Sequence, residues 1–144
     1  MADRNRAARP PKLLHPIFGG PAAALLIAAL FTDTMYYSTA LMQWANFSAW
    51  LIVGGLIVAL VAAIFLVIDI LLGHTGPLRR LEFIVLVAAA LLSIVNALVH
   101  SRDAWTSVVP TGLTLSAIVA ILLFLLSFRG WSVTEPRIRA GGRP

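Results

Sequence analysis

Apolar residues run along this chain in four blocks, at about residues 17–40, 46–72, 78–100 and 108–128, with short polar or glycine–proline breaks between them. A helix crosses a ~30 Å hydrocarbon core in about 20 residues, and each block is of that order. Gly73, Gly76 and Pro77 part the second block from the third, Arg102 and Asp103 mark the next break, and Pro110 suits the first turn of the last helix, where its missing N–H costs nothing. The blocks are too long and continuous for barrel strands, and within lipid only a helix satisfies its own backbone over such a length. The pattern predicts an all-α fold, a four-transmembrane-helix bundle. It divides the chain into a basic N-terminal segment 1–16, a transmembrane domain 17–128 and a basic tail 129–144.

Within each block, small residues recur at a spacing of four: Gly20, Ala24, Ala28; Gly55, Ala59, Ala63; Ala89, Ser93, Ala97; Gly112, Ser116, Ala120. Residues four apart share a helical face, and small ones let backbones approach closely where lipid supplies no hydrophobic drive. These faces are expected to pack helices together, within the chain or against a second copy or partner.

Polar residues are few, and their positions carry the chemistry. On the third helix Glu82, Ala89, Ser93, Asn96 and His100 fall in one narrow sector, which should point away from acyl chains. Asp69 shares a face with Ala62 and Gly55 on the second helix, whereas Asp33 is placed on the side of helix one away from Gly20, Ala24 and Ala28, beside Tyr36 and Tyr37. At a rise of ~1.5 Å per residue, Asp33 and Asn96 lie at similar heights. Two layers follow: an outer one of Asp33, Tyr36, Asn96 and His100, and an inner one of His15, Asp69, Arg79, Arg80 and Glu82. In the inner layer a pair between Asp69 and Arg79 or Arg80 across the turn is the expected way to make the acid tolerable. In the outer layer Asp33 is expected to be shielded by Asn96, Tyr36 or His100, as a structural acid or as part of a proton path.

Composition removes most other readings. Hydrophobic residues make up 60% of the 144 and the mean hydropathy is +0.92, more apolar surface than one small soluble core can hide. The bilayer is therefore the first partner. Of eleven Lys and Arg residues, ten lie on one side of the predicted spans (Arg4, Arg6, Arg9, Lys12, Arg79, Arg80, Arg129, Arg137, Arg139, Arg143) and only Arg102 on the other. That asymmetry places both termini in the cytoplasm, in a multi-pass arrangement. The basic tail lacks interleaved aromatics and reads as a membrane flank, so no nucleic acid is expected. Trp44, Trp50, Trp105 and Trp131 read as interfacial anchors.

With no cysteine, thiolate metal sites, cysteine-ligated clusters and disulfides are excluded. His15 and His100 are predicted at opposite ends of the core, too far apart for one haem iron, and His74 lies in the loop. No metal site and no catalytic residues are assigned. Haem and quinone remain minor alternatives as cofactors. There is no nucleophile elbow, phosphate loop or dinucleotide fingerprint, so a stand-alone enzyme is not indicated.

The stretch "HPIFGGPAAALLIAALFTD", the acid Asp69 late in helix two and "LRRLEF" opening helix three resemble a bacterial membrane family called domain of unknown function 2231. The likeness covers about residues 13–128, and by position the matching residues are His15, Pro16, Asp33, Asp69 and Arg80. Leu66 stands where the family usually has a glycine, and "FRGWSV" replaces its motif after helix four. The resemblance implies four spans and partnership with membrane or periplasmic redox modules. The leading reading is an accessory or anchoring subunit associated with a redox complex. The alternative is a small homo-oligomeric transporter or channel, linked to protons or cations through Asp33.

Overall fold

The structure, a computed structural model, describes residues 11–102 and 107–136. Four helices dominate it: α1 (His15–Thr39), α2 (Met42–Leu71), α3 (Arg80–His100) and α4 (Thr111–Ser127). Pro16 sits in the first turn of α1, where no intrahelical donor is needed. Ala40, in the left-handed conformation, closes α1, its N–H bonded to the Tyr36 carbonyl. Only Leu41 then separates α1 from α2, so the two run antiparallel as a tight hairpin.

α1, α2 and α3 have the length and apolar character to cross a membrane. α4, with 17 residues, is shorter than the predicted span 108–128 and extends about 26 Å. Residues 107–110 form a tight turn that ends in Pro110, which delays its start, and a turn at Phe128–Gly130 ends it.

The helices close in a ring, α1 on α2 and α4, α3 on α4 and, more loosely, on α2. Their shared core is built from Ala23, Leu26 and Ala29 of α1, Ile52 of α2, Ala89 of α3, and Val119 and Leu123 of α4. Large apolar side chains such as Leu60, Ile64, Ile84, Leu91 and Phe124 face outward, the inverse of a soluble domain and the arrangement lipid favours.

The all-helical expectation needs one correction. Thr75–Leu78 (β1) pairs antiparallel with Thr134–Pro136 (β2), with an irregular register between Thr75↔Pro136 and Leu78↔Thr134. Gly76 and Pro77 disfavour a helical start at 78 and leave the backbone extended. Gly76 also lets the Glu135 carbonyl come within 3.0 Å of where a Cβ would stand. Residues 131–136 thus return to the bundle, with Val133 and Thr134 buried. The flanking cations Arg4, Arg6, Arg9, Arg137, Arg139 and Arg143, and Trp105, lie outside the described residues.

The expected small-residue faces are realised unevenly. Ala89, Ser93, Gly112, Ser116, Ala120 and Gly55 are buried inside the chain; Gly20, Ala28, Ala59 and Ala97 are half-buried; Ala24 and Ala63 face outward. On α1 the buried stripe is Ala22, Leu26, Ala29, Asp33 and Tyr36. Asp33 therefore shares the packing face and does not need a second, polar face of its own. The spacing of Ala22, Leu26, Ala29, Asp33 and Tyr36 alternates four and three, the seam that antiparallel helices bury.

Candidate functional site

All four helices contribute to one carboxylate. Asp33 on α1 is fully buried. Its Oδ1 accepts a hydrogen bond from Ser48 Oγ of α2 and lies 2.9 Å from His100 Nε2 of α3. Its Oδ2 accepts from Ser116 Oγ of α4 at 2.5 Å. Asn96 does not hydrogen-bond Asp33 directly. Its Nδ2 donates to Ser116 Oγ at 2.7 Å, orienting that hydroxyl toward the acid. Tyr36, one turn further along, is buried with Ala45 and Val108 above the cluster.

The histidine geometry fixes the proton count. His100 Nδ1 lies 3.0 Å from the Asn96 carbonyl oxygen, which only accepts, so Nδ1 carries a hydrogen. A lone pair on Nε2 facing a carboxylate would repel it, so one proton lies between Nε2 and Asp33. The Asp33–His100 unit is thus neutral overall, as an ion pair or as two neutral groups, which is what makes it tolerable at this depth.

Ser48 also approaches His100 Nε2, at 3.3 Å. The constellation contains Ser, His and Asp but is not a hydrolytic triad. In a triad the acid and the nucleophile use different ring nitrogens, whereas here both meet Nε2 and Nδ1 is committed to backbone.

The second acid is held differently, and the expected Asp69–arginine pair does not form. Asp69 Oδ2 accepts from the backbone N–H groups of Leu14 and His15 at 2.8 and 3.1 Å and from His15 Nδ1 at 2.8 Å. The carboxylate from the end of α2 thereby caps the start of α1, where donors lack helical partners and the dipole favours negative charge. The His-Pro entry and the late acid of helix two are two halves of one device. His15 Nε2 accepts from the Val133 N–H at 3.3 Å, so the ring is neutral with its hydrogen on Nδ1. His74 Nδ1 stands 3.9 Å from Asp69 Oδ1, beyond hydrogen-bond range.

Neither arginine expected to meet Asp69 does so. Arg79 Nη2 and Arg129 Nε converge on Glu82 Oε1 at 3.0 and 2.8 Å, tying the start of α3 to the end of α4. Arg80 is exposed and makes no ion pair among the described residues.

Ser48 is the member of the site that sequence reasoning missed, and Ser116 was read only as a packing residue. A signal for Ser48 was present. Ser48, Gly55, Ala62 and Asp69 repeat every seven residues, so the face already drawn through Asp69, Ala62 and Gly55 continues to it. No group of three or more histidine and acidic side chains among the described residues is arranged as a metal site.

Long apolar helices around a small, buried polar cluster define a multi-pass helical membrane protein. The chain belongs to the family described as predicted membrane protein (DUF2231), whose model matches residues 11–136. No curated protein and no solved structure is detectably similar to it.

Proposed function

We propose that the protein is a non-catalytic accessory or anchoring subunit of a redox complex in a bacterial inner membrane, with both termini in the cytoplasm. The observation that carries the positional role is the convergence of Ser48, His100 and Ser116, one from each of the other helices, on Asp33. An acid used in this way fixes where four helices stand, and it leaves the outward apolar faces of α2 and α3 for lipid or a partner. The small faces, expected to pack within the chain or against a second copy or partner, are largely consumed within the bundle, so docking falls to those larger side chains. The redox character of the partner rests on the family resemblance.

The test is purification from the native membrane in mild detergent, at native expression level, followed by mass spectrometry. A stoichiometric dehydrogenase or cytochrome is the expected result. Recovery of the chain alone overturns the reading. In that case a proton or cation flux in proteoliposomes that Asp33→Asn abolishes would assign a homo-oligomeric transporter instead.

A further inference from the structure

A cleft of about 190 Å³ lies along the basic half of the bundle, walled by Ala22, Ala59, Ala62, Leu66, Leu86 and Ala90. Trp131, returning from the end of α4, packs against Gly19 and Gly20 and closes one side. The outward-facing Ala63, Phe83 and Val87 also line it, so it opens sideways at the looser seam between α2 and α3. Its one ionisable lining residue, His15, has both ring nitrogens engaged by Asp69 and the Val133 N–H. A ring bearing two carbonyls would find at most the Trp131 indole N–H as a donor. The walls instead suit a plain hydrocarbon chain.

We propose that this cleft holds one acyl chain of an anionic phospholipid, with the phosphate at Arg80. Arg80, Phe83, Val87 and Ala90 share a face of α3, so Arg80 stands at the head of the wall that lines the cleft, about 15 Å along the helix from its far residue. The neighbouring Arg79 and Arg129 are both committed to Glu82, whereas Arg80 is exposed and has no carboxylate partner among the described residues. Guanidinium pairs with phosphate through two parallel hydrogen bonds, and a long basic side chain at a helix end reaches naturally toward the headgroup layer. The proposal does not depend on which protein the chain accompanies.

Trp131 supplies the probe. With Trp44, Trp50 and Trp105 replaced by phenylalanine in the full chain, its fluorescence is followed in phosphatidylcholine vesicles. These contain acyl-brominated phosphatidylglycerol or, at the same mole fraction, acyl-brominated phosphatidylcholine. Bromine quenches on contact, and the contribution of one basic residue, Arg80, predicts a preference of about fivefold for the anionic lipid at this site. Arg80→Gln, a surface change, is expected to abolish that preference, and Ala62→Phe, which fills the cleft, to reduce quenching by both lipids. Equal quenching by the two lipids, or a preference that survives Arg80→Gln, overturns the proposal. So does unchanged quenching in Ala62→Phe, or displacement of the brominated lipid by an added quinone.

Discussion

Asp33 and Asp69 look alike in sequence, each a lone acid in an apolar run with a histidine as partner, yet their surroundings give them different chemistry. Asp33 shares one proton with His100 and receives two hydroxyl hydrogen bonds, so its charge is balanced inside the cluster. Asp69 faces a neutral His15 and is balanced by the amide donors at the start of α1. Removing the first acid leaves donors from three helices without an acceptor. Interhelical hydrogen bonds in membranes contribute about 0.6–1.7 kcal/mol each, so Asp33→Ala is expected to cost about 2–5 kcal/mol. Asp33→Asn should cost less, because an amide oxygen still accepts from Ser48, and Ser48→Ala or Ser116→Ala should each cost about one such bond. Unfolding in mixed detergent micelles measures all four. Equal stability of Asp33→Ala and the parent would show that the cluster holds nothing together. The acid itself was legible as an anomaly. Of its partners His100 was anticipated, but the two serines were not, because a serine in a membrane helix reads equally well as a small packing residue.

At the scale of the helices, close approach is set by single glycines. A Cβ at Gly55 would stand 2.7 Å from Leu26 Cγ and 3.3 Å from the Ala22 carbonyl oxygen, so α1 and α2 cannot keep their spacing with any side chain there. Ser93 is equally enclosed, its hydroxyl bonded back to the Ala89 carbonyl at 2.7 Å. Gly55→Leu and Ser93→Leu are therefore expected to lower the stability of the isolated protein by about 1–3 kcal/mol or more through overpacking, and not merely to weaken a partner's binding. Undiminished stability with loss only of assembly would return these residues to an external interface. The α3 stripe of Glu82, Ala89, Ser93, Asn96 and His100 was readable in advance because polar groups can point only inward. The α1 face was misplaced: Gly20, Ala24 and Ala28 compete with Ala22, Leu26 and Ala29 in a helix apolar on every side, and periodicity alone does not choose between them.

For the molecule as a whole, the segment after α4 matters more than its basic composition indicates. Trp131 packs on Gly19 and Gly20, Val133 bonds to His15, and β2 pairs with the loop that precedes α3. Ending the chain at Arg129 should therefore destabilise the bundle by about 3 kcal/mol or more, the loss expected for a packed tryptophan. Thermal unfolding in detergent of the shortened chain against the full chain measures it, and an unchanged midpoint would reduce the segment to a tail. The sequence by itself determined that the chain is a helical membrane protein with helices near its apolar blocks, though not the extended stretch before α3 or the shortness of α4, and that its few polar helix residues must turn inward. Those conclusions follow from hydropathy and helical period, which are local properties of a chain in lipid. Only the tertiary structure decided which groups meet: Asp69 with His15 and the start of α1 instead of an arginine, Glu82 with two arginines, and Asp33 with a group from every other helix. Pairing depends on the rotation and height of each helix against its neighbours, and side-chain packing across the whole bundle fixes both.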